Sequence, residues 1–287
     1  LFAGLLWSFG PLVVRYMDNP HMVPWQYIFG RGLTIFIILN LYLYFEEGIN
    51  FYKNYKKVGR SGFIGGCGLG IAMITFIYSI TNTTAAVTLL CLAAMPFFTA
   101  VLAYMFLKEK ISLNVWVSIF IATIGIIIMA LGNSEKNSLL GFVFGLTSSI
   151  GFSVFSVSLR WRKETPKFTT VAIAGLFCFI FATIVLLLTK QTFFSTSYNS
   201  SMFSLHGTLV CFGLILYSIG SKAIPAAELT LLSLTEVIGG IFWVWLPLFG
   251  INEIPSTNTI VGGFFLFISL MYYSLIMRWN KRHIALN

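Results

Sequence analysis

The sequence predicts an all-α membrane protein, with ten transmembrane helices arranged as two inverted five-helix repeats around a central cavity. Three observations predict it. Of the 287 residues, 57% are apolar and only 9% charged, with a mean hydropathy of +0.88, whereas soluble domains average about 25% charged residues. Apolar runs recur at the length a helix needs to cross about 30 Å of hydrocarbon, roughly 20 residues. The second half of the sequence also repeats small and polar positions of the first, in order. This composition excludes a secreted disulfide scaffold, a disordered chain and an ordinary cytosolic enzyme.

Taken in order, the candidate spans lie at about 1–14, 25–45, 62–80, 85–107 and 113–132, then 139–159, 168–189, 205–221, 226–249 and 259–277. The first is short and begins inside an apolar run without Met, so further residues are expected ahead of Leu1. No small-residue cleavage site follows it, so it does not read as a signal peptide. The eighth is the least regular, with His206 near its start and Gly207, Gly213 and Gly220 along it.

The loops test this order. Loops two, four, six and eight and the C-terminal tail hold Lys53, Lys56, Lys57 and Arg60, then Lys108 and Lys110, then Arg160, Arg162, Lys163 and Lys167, then Lys222, then Arg278, Lys281 and Arg282. The odd loops hold only Arg15, Lys136 and Lys190. Adding or removing one helix destroys the alternation. Lys and Arg collect on the cytoplasmic side, which places both termini there, in a plasma (bacterial inner) membrane. The net charge of +9 therefore reports topology, and no nucleic-acid partner is expected. Trp25, Trp161 and Trp279 fall at predicted span ends, as interfacial belt residues do.

A shift of 141 residues aligns Gly4 with Gly145, Leu5 with Leu146, Ser8 with Ser149, Gly10 with Gly151 and Val13 with Val154, and Ala85-Ala86 with Ala226-Ala227. One residue more matches Thr88-Leu89-Leu90 to Thr230-Leu231-Leu232. A shift of 144 pairs Glu109 with Glu253, Ser112 with Ser256 and Asn114 with Asn258. The drift is what small loop insertions produce. The predicted units are 1–138 and 139–287. Each holds an odd number of spans, so the second must be inverted relative to the first, an arrangement characteristic of secondary carriers that bind substrate near the bilayer midplane. No GxxxxGK[ST] loop is present to bind nucleotide. Cys67, Cys91, Cys178 and Cys211 sit singly in apolar runs, with neither a CxxC pair nor a Cys/His cluster. No metal or cofactor is expected.

The stretch Thr84-Ala85-Ala86, Leu89-Leu90, Pro96-Phe97-Phe98-Thr99-Ala100-Val101-Leu102-Ala103 and Phe106-Leu107-Lys108-Glu109 resembles the fourth-helix signature of EamA-type permeases of the drug/metabolite transporter superfamily. Ile224-Pro225-Ala226-Ala227-Glu228 with Leu231-Leu232-Ser233-Leu234-Thr235-Glu236 resembles that family's ninth helix. Two departures stand out. Lys108 occupies a position where family members usually have Gly, and Gly239-Gly240 lie where a Pro or other small residues are common. The resemblance covers essentially the whole chain. It implies two inverted five-helix repeats around a cavity, a small-metabolite substrate, and an Arg in the second helix.

Ionisable groups inside a span cost about 2.5 kcal/mol or more at its centre, so each is a functional candidate. Arg31, Glu228 and Glu236 qualify. Glu228 sits in the first turn of the ninth span, where the helix dipole favours a carboxylate. Glu236 lies eight residues deeper, about 12 Å at 1.5 Å per residue, and shares a helix face with Ser233 and Gly240. It can exchange a proton, grip a cationic group, or form a structural hydrogen bond. Arg31 can hold a carboxylate or phosphate through its planar fork, or pair with Glu236 or a helix-end carbonyl.

Further candidates are Trp7 and Ser8, which precede the kink-forming Gly10-Pro11, and Ser149, Ser153 and Ser156, spaced along one face of helix six. Tyr78 and Asn82 close helix three, Tyr217 lies in helix eight, and Pro96 can break helix four. Small polar residues also serve close helix packing.

These residues favour a secondary active carrier of a small polar or zwitterionic, amino-acid-like metabolite, with the bilayer as solvent and protons as a candidate coupling ion. Two alternatives stay open. The aromatics would also suit a nucleobase- or vitamin-like ring compound. An intramembrane enzyme acting on a lipid-linked substrate would need paired carboxylates with a metal, or a Ser/His pair, at membrane depth. No second acid lies within a turn of Glu236, and the histidines (His21, His206 and His283) fall in a loop, at a span edge and in the tail. The chain is thus expected not to be an enzyme.

Overall fold

The computed structural model describes residues 1–131, 139–162, 164–251, 254 and 256–284. Within them, the side chains at 129–131, 139, 248, 259, 270, 274 and 277–284 are not described. Lys136, Lys163 and Glu253, used above for loop charge and repeat, lie outside the described residues. So do the side chains of Arg278, Trp279, Lys281, Arg282 and His283.

Among the described residues the regular structure is entirely helical. The first predicted span is two short helices, α1 (Phe2–Ser8) and α2 (Gly10–Tyr16). The second is α3 (Pro24–Glu47), followed by the short α4 (Lys53–Lys57), and the third is α5 (Gly59–Asn82). The fourth divides into α6 (Ala85–Leu92) and α7 (Met95–Leu102), and the fifth is α8 (Leu113–Leu131). Then follow α9 (Leu139–Trp161), α10 (Lys167–Leu188), α11 (Ser197–Gly220), the pair α12 (Ala226–Ser233) and α13 (Thr235–Trp245), and α14 (Thr257–Ile284). Among the described residues, 7 helical runs are long and apolar enough to cross a membrane: Pro24–Lys57, Gly59–Asn82, Ala85–Leu107, Leu140–Trp161, Lys167–Leu188, Ser197–Gly220 and Ala226–Trp245. The first, fifth and tenth predicted spans are helical but shorter by that measure, the last two through Leu113–Ile128 and Ile260–Tyr273.

The three broken runs have local causes. Pro11 and Pro96 lack the N–H that would bond to the carbonyls of Trp7 and Leu92, and the helix axis breaks at Phe9 and at Ala93-Ala94. The third break, at Leu234, has no proline. There, hydroxyls turn back on the backbone: Thr230 Oγ1 donates to Ala227 O at 2.9 Å, Ser233 Oγ to Thr230 O at 2.7 Å and Thr235 Oγ1 to Leu232 O at 3.2 Å. Such back-bonding bends helices, and Val237 N closes a tight turn on Leu234 O at 3.0 Å.

The eighth span starts earlier than the sequence reading placed it. Thr196 Oγ1 accepts from Asn199 N at 3.1 Å, an N-cap that lets α11 begin at Ser197. His206 therefore lies well inside a 24-residue helix and not at its edge.

Helix α5 lies along α9, α3 along α10 and α8 along α14. Helix α10 also packs on α5 as α11 does on α3. Helix α1 packs on α11 and α13, while α9 takes α5, α6 and α7. Glycines set the closest approaches. A Cβ on Gly4 would stand 2.1 Å from Thr235 Oγ1, at the α12–α13 break, and one on Gly145 would stand 2.7 Å from Cys91 Cβ, beside the α6–α7 break. Gly32 and Gly175 meet at the α3–α10 crossing, and Gly125 meets Gly262 where α8 crosses α14.

Arg15 donates to Ile80 O and Thr83 O at 3.3 Å each, closing the end of α5. Arg160 does the same at the end of α11, donating to Ser221 O at 3.2 Å and Ile224 O at 2.8 Å. Large apolar side chains cover the outside, Phe45 being 82% and Leu188 78% exposed. In water this surface would aggregate, and in lipid it is at home.

Candidate functional site

The breaks converge on a central cavity. Its polar lining is Arg31 from α3, His206 from α11, Glu236 from the first turn of α13 and Ser148 from α9; Trp7, Phe76 and Phe152 supply aromatic walls, and Leu92 and Met95 flank the α6–α7 break. Its free volume is about 60 Å³, far below the roughly 300–1,000 Å³ of ordinary ligand pockets.

Arg31 is buried at 5% exposure, and its Nε and Nη1 have no hydrogen-bond partner among the described residues. Neither of the ordinary roles for a buried arginine, an ion pair with Glu236 or a bond to a helix-end carbonyl, is formed. The guanidinium carbon lies 5.6 Å from the centre of the Phe76 ring, a cation–π distance. Glu236 lines the same cavity without a hydrogen bond to a described residue, at the N-terminal end of α13, where the helix dipole favours negative charge. A guanidinium and a carboxyl group thus face one small space with no ion pair between them.

His206 completes the lining. Its Nδ1 is hydrogen-bonded to the hydroxyl of Tyr27, which is itself fully buried and stacked on Phe203. If Tyr27 donates, the imidazole carries its proton on Nε2, the nitrogen closest to Gly10. A Cβ on Gly10 would lie 2.7 Å from that Nε2, so glycine is what admits the ring. Trp7 donates from Nε1 to Val210 O at 3.3 Å and lies on α11 at Gly213. Its ring meets Phe152 edge-on at 5.5 Å.

Of the residues named from sequence, Trp7, Arg31 and Glu236 line this cavity. The others lie elsewhere. Ser8 Oγ donates to Leu5 O at 2.7 Å and accepts from Trp243 Nε1 at 2.9 Å. Ser149 donates to Gly145 O and Cys91 O, and Ser153 donates to Ser149 O at 2.7 Å. Tyr217 pairs with Ser156 at 2.6 Å behind Trp7, and Ser233 is turned back on Thr230.

Tyr78 packs on Trp25 and Phe144, and Asn82 is exposed, bonded to Tyr78 O. Glu228 accepts a hydrogen bond from Tyr273. The sequence reading missed His206, Ser148, Phe76 and Phe152 as lining residues. The Thr196 cap was the signal that would have moved His206 inward.

The described residues thus form a polytopic helical bundle with an apolar exterior and a small polar-lined cavity at its helix breaks. Residues 1–131 match the EamA-like transporter family. Relatives in two strains of Helicobacter pylori, each named an uncharacterized transporter, are 25% identical over 167 residues. That match covers 57% of this chain and spans 53% of each relative, about half its length. An uncharacterized transporter of Clostridium kluyveri is 26% identical over 240 residues, 77% of this chain and 75% of its own. A solved crystal structure superposes with a TM-score of 0.70 over 97% of this chain and 96% of its own, at 16% identity, a likeness of fold. The first half of the chain, residues 1–131, is thus similar to EamA-like transporters of the drug/metabolite transporter superfamily. The chain's apolar helical runs are those of a multi-pass membrane protein.

Proposed function

We propose that the chain carries a small zwitterionic, amino-acid-like metabolite across a plasma membrane by alternating access, with protons as coupling ion. The observation that carries this reading is the unpartnered guanidinium of Arg31 facing the same small cavity as Glu236. A buried donor without a partner costs about 1–3 kcal/mol. A substrate carboxylate across the Arg31 fork, with an ammonium group toward Glu236, would satisfy both charges at once. With the site empty, a proton on Glu236 would serve in place of the ammonium. His206 and Trp7 complete the contact set, and Ser148 Oγ, which donates to Ala72 O at 2.9 Å, is left able only to accept. Trp7, Phe76 and Phe152 favour a second reading, in which the substrate bears a ring.

Alternating access is supported by the packing. Exchanging each span of the first five with its counterpart in the second five preserves the most extensive helix contacts: α5 on α9 answers α1 and α2 on α11, and α10 on α5 answers α11 on α3. Gly4 and Gly145, equivalent in sequence, each press on the break of a helix in the other half. This reciprocity supports units 1–138 and 139–287 as inverted five-span repeats, ten spans in all, with both termini cytoplasmic. The broken helices are where such halves would hinge.

The test is uptake from a cell metabolite extract into proteoliposomes under imposed proton gradients, read by mass spectrometry beside empty liposomes. One intact compound should accumulate, with uptake cut at least ~10-fold by Arg31→Met or Glu236→Gln. A chemically altered compound, or none above empty liposomes, overturns the carrier reading. Undiminished uptake in both variants overturns the site alone.

A further inference from the structure

The end of the bundle where α9, α10 and α11 meet holds a second cavity of about 470 Å³, several times the central one. Its charged lining is wholly basic: Arg160 from the last turn of α9, Lys167 from the start of α10 and Lys222 just past α11. No acid lines this cavity among the described residues: Glu109 binds Arg160 Nε at 2.6 Å, Glu228 in the first turn of α12 is bonded by Tyr273, and Glu164, Glu46 and Glu47 are exposed. Three cations and one engaged carboxylate leave an excess of positive charge around a void.

The cations are also organised. Arg160 is fixed by the carbonyls of Ser221 and Ile224. Lys167 Nζ donates to Ser221 Oγ at 2.8 Å, and Ser221 Oγ donates on to Ser218 O at 2.8 Å. Lys167 feels the charge of both Lys222 and Arg160, yet no acid among the described residues pairs with it. The Lys222 side chain is exposed and makes no hydrogen bond or ion pair among the described residues. Holding two ammonium groups and a guanidinium around one space is unfavourable unless an anion enters it. The half-exposed Trp161 beside Arg160 and the largely apolar body of α10 put the cavity at the level of lipid headgroups, where basic pockets between helices take anionic lipids.

We propose that this cavity binds a phosphate group, supplied by an anionic phospholipid headgroup or by a free phosphate on the same side, with Lys167, Lys222 and Arg160 as donors. A phosphate presents enough acceptor oxygens to engage the free N–H groups of both lysines while Arg160 keeps its place on Glu109. The site is separate from the central cavity and does not depend on the transport reading.

The test uses the full chain in detergent, by native mass spectrometry with phosphatidylglycerol or phosphatidylcholine added, and by calorimetric titration with inorganic phosphate. The lipid source predicts retention of phosphatidylglycerol at least ~10-fold above phosphatidylcholine, abolished by the double substitution Lys167→Gln/Lys222→Gln and kept by Lys167→Arg/Lys222→Arg. Saturable binding of inorganic phosphate with the same variant pattern, and no lipid preference, names free phosphate as the source. If both probes behave alike in wild type and the glutamine variant, the proposal is overturned. Should the double variant fail to fold, Lys222→Gln alone carries the test, because Lys222 makes no contact the fold needs, and an unchanged response to both probes is then the overturning result.

Discussion

Arg31 keeps two buried donors unpartnered where an apolar side chain would fit among Phe76, Met73 and Leu69. Each orphan costs about 1–3 kcal/mol, and replacing a buried charge by a hydrophobe of similar length is often neutral or stabilising. Arg31→Met should therefore leave the thermal midpoint of the detergent-solubilised protein unchanged or raise it by a few degrees, while uptake falls to the level of empty liposomes. A destabilised variant would mean that Arg31 holds the fold together and the site assignment must change. Arg31 and Glu236 were legible in sequence because a charge in an apolar run has no cheap explanation. His206 was not, because its visibility depended on where the helix begins. The serines at 149 and 153 looked like a cavity stripe and are instead turned onto carbonyls, since a serine face suits backbone packing as well as ligand contact.

At the scale of an element, the breaks and the glycines carry the design. Two breaks were readable from Pro11 and Pro96; the third was not, because it comes from three hydroxyls acting together. Lys108, which departs from the glycine common in the family, takes a left-handed conformation (φ 56), one that an L residue adopts at a cost of about 1–2 kcal/mol. Gly239 and Gly240, the other departure, let α13 approach Ser8 and Pro11, with hypothetical Cβ distances of 2.7 and 3.1 Å. The packing glycines differ in what they would meet. A Cβ on Gly151 would lie 2.6 Å from Gly68 O and 3.0 Å from Ala72 N, backbone atoms that cannot step aside, whereas one on Gly263 meets nothing within 4 Å. Gly151→Leu should thus destabilise by about 1–3 kcal/mol, the usual cost of overpacking, and part α9 from α5. Gly263→Ala, in mid-helix, should be neutral or stabilising by up to about 1 kcal/mol. Thermal unfolding of both variants checks the pair, and equal midpoints would refute the close α5–α9 packing.

For the whole molecule, the open question is how many helices cross. Seven runs meet the length and hydropathy criterion among the described residues, while loop charge and the reciprocal packing support ten crossings. The two counts make opposite claims about one pair of loops. With ten crossings, Lys56 before α5 and Arg162 after α9 lie on the same side, because α5, the α6–α7 pair, α8 and α9 intervene. If α8 did not cross, an odd number of crossings would separate them and they would lie on opposite sides. His21 and Thr192 should lie together on the other face in the ten-crossing arrangement. All of these positions are exposed, and Cys91, Cys178 and Cys211 are buried with Cys67 half-buried, so a background with Cys67→Ala gives little labelling of its own. Single cysteines at 21, 56, 162 and 192, treated with a membrane-impermeant maleimide in intact cells and then after permeabilisation, read the sides directly. Ten crossings predict protection at 56 and 162 until permeabilisation and immediate labelling at 21 and 192. Labelling of 56 and 162 from opposite sides would remove the fifth crossing, and with it the odd-numbered repeat from which the inversion and the alternating-access proposal follow.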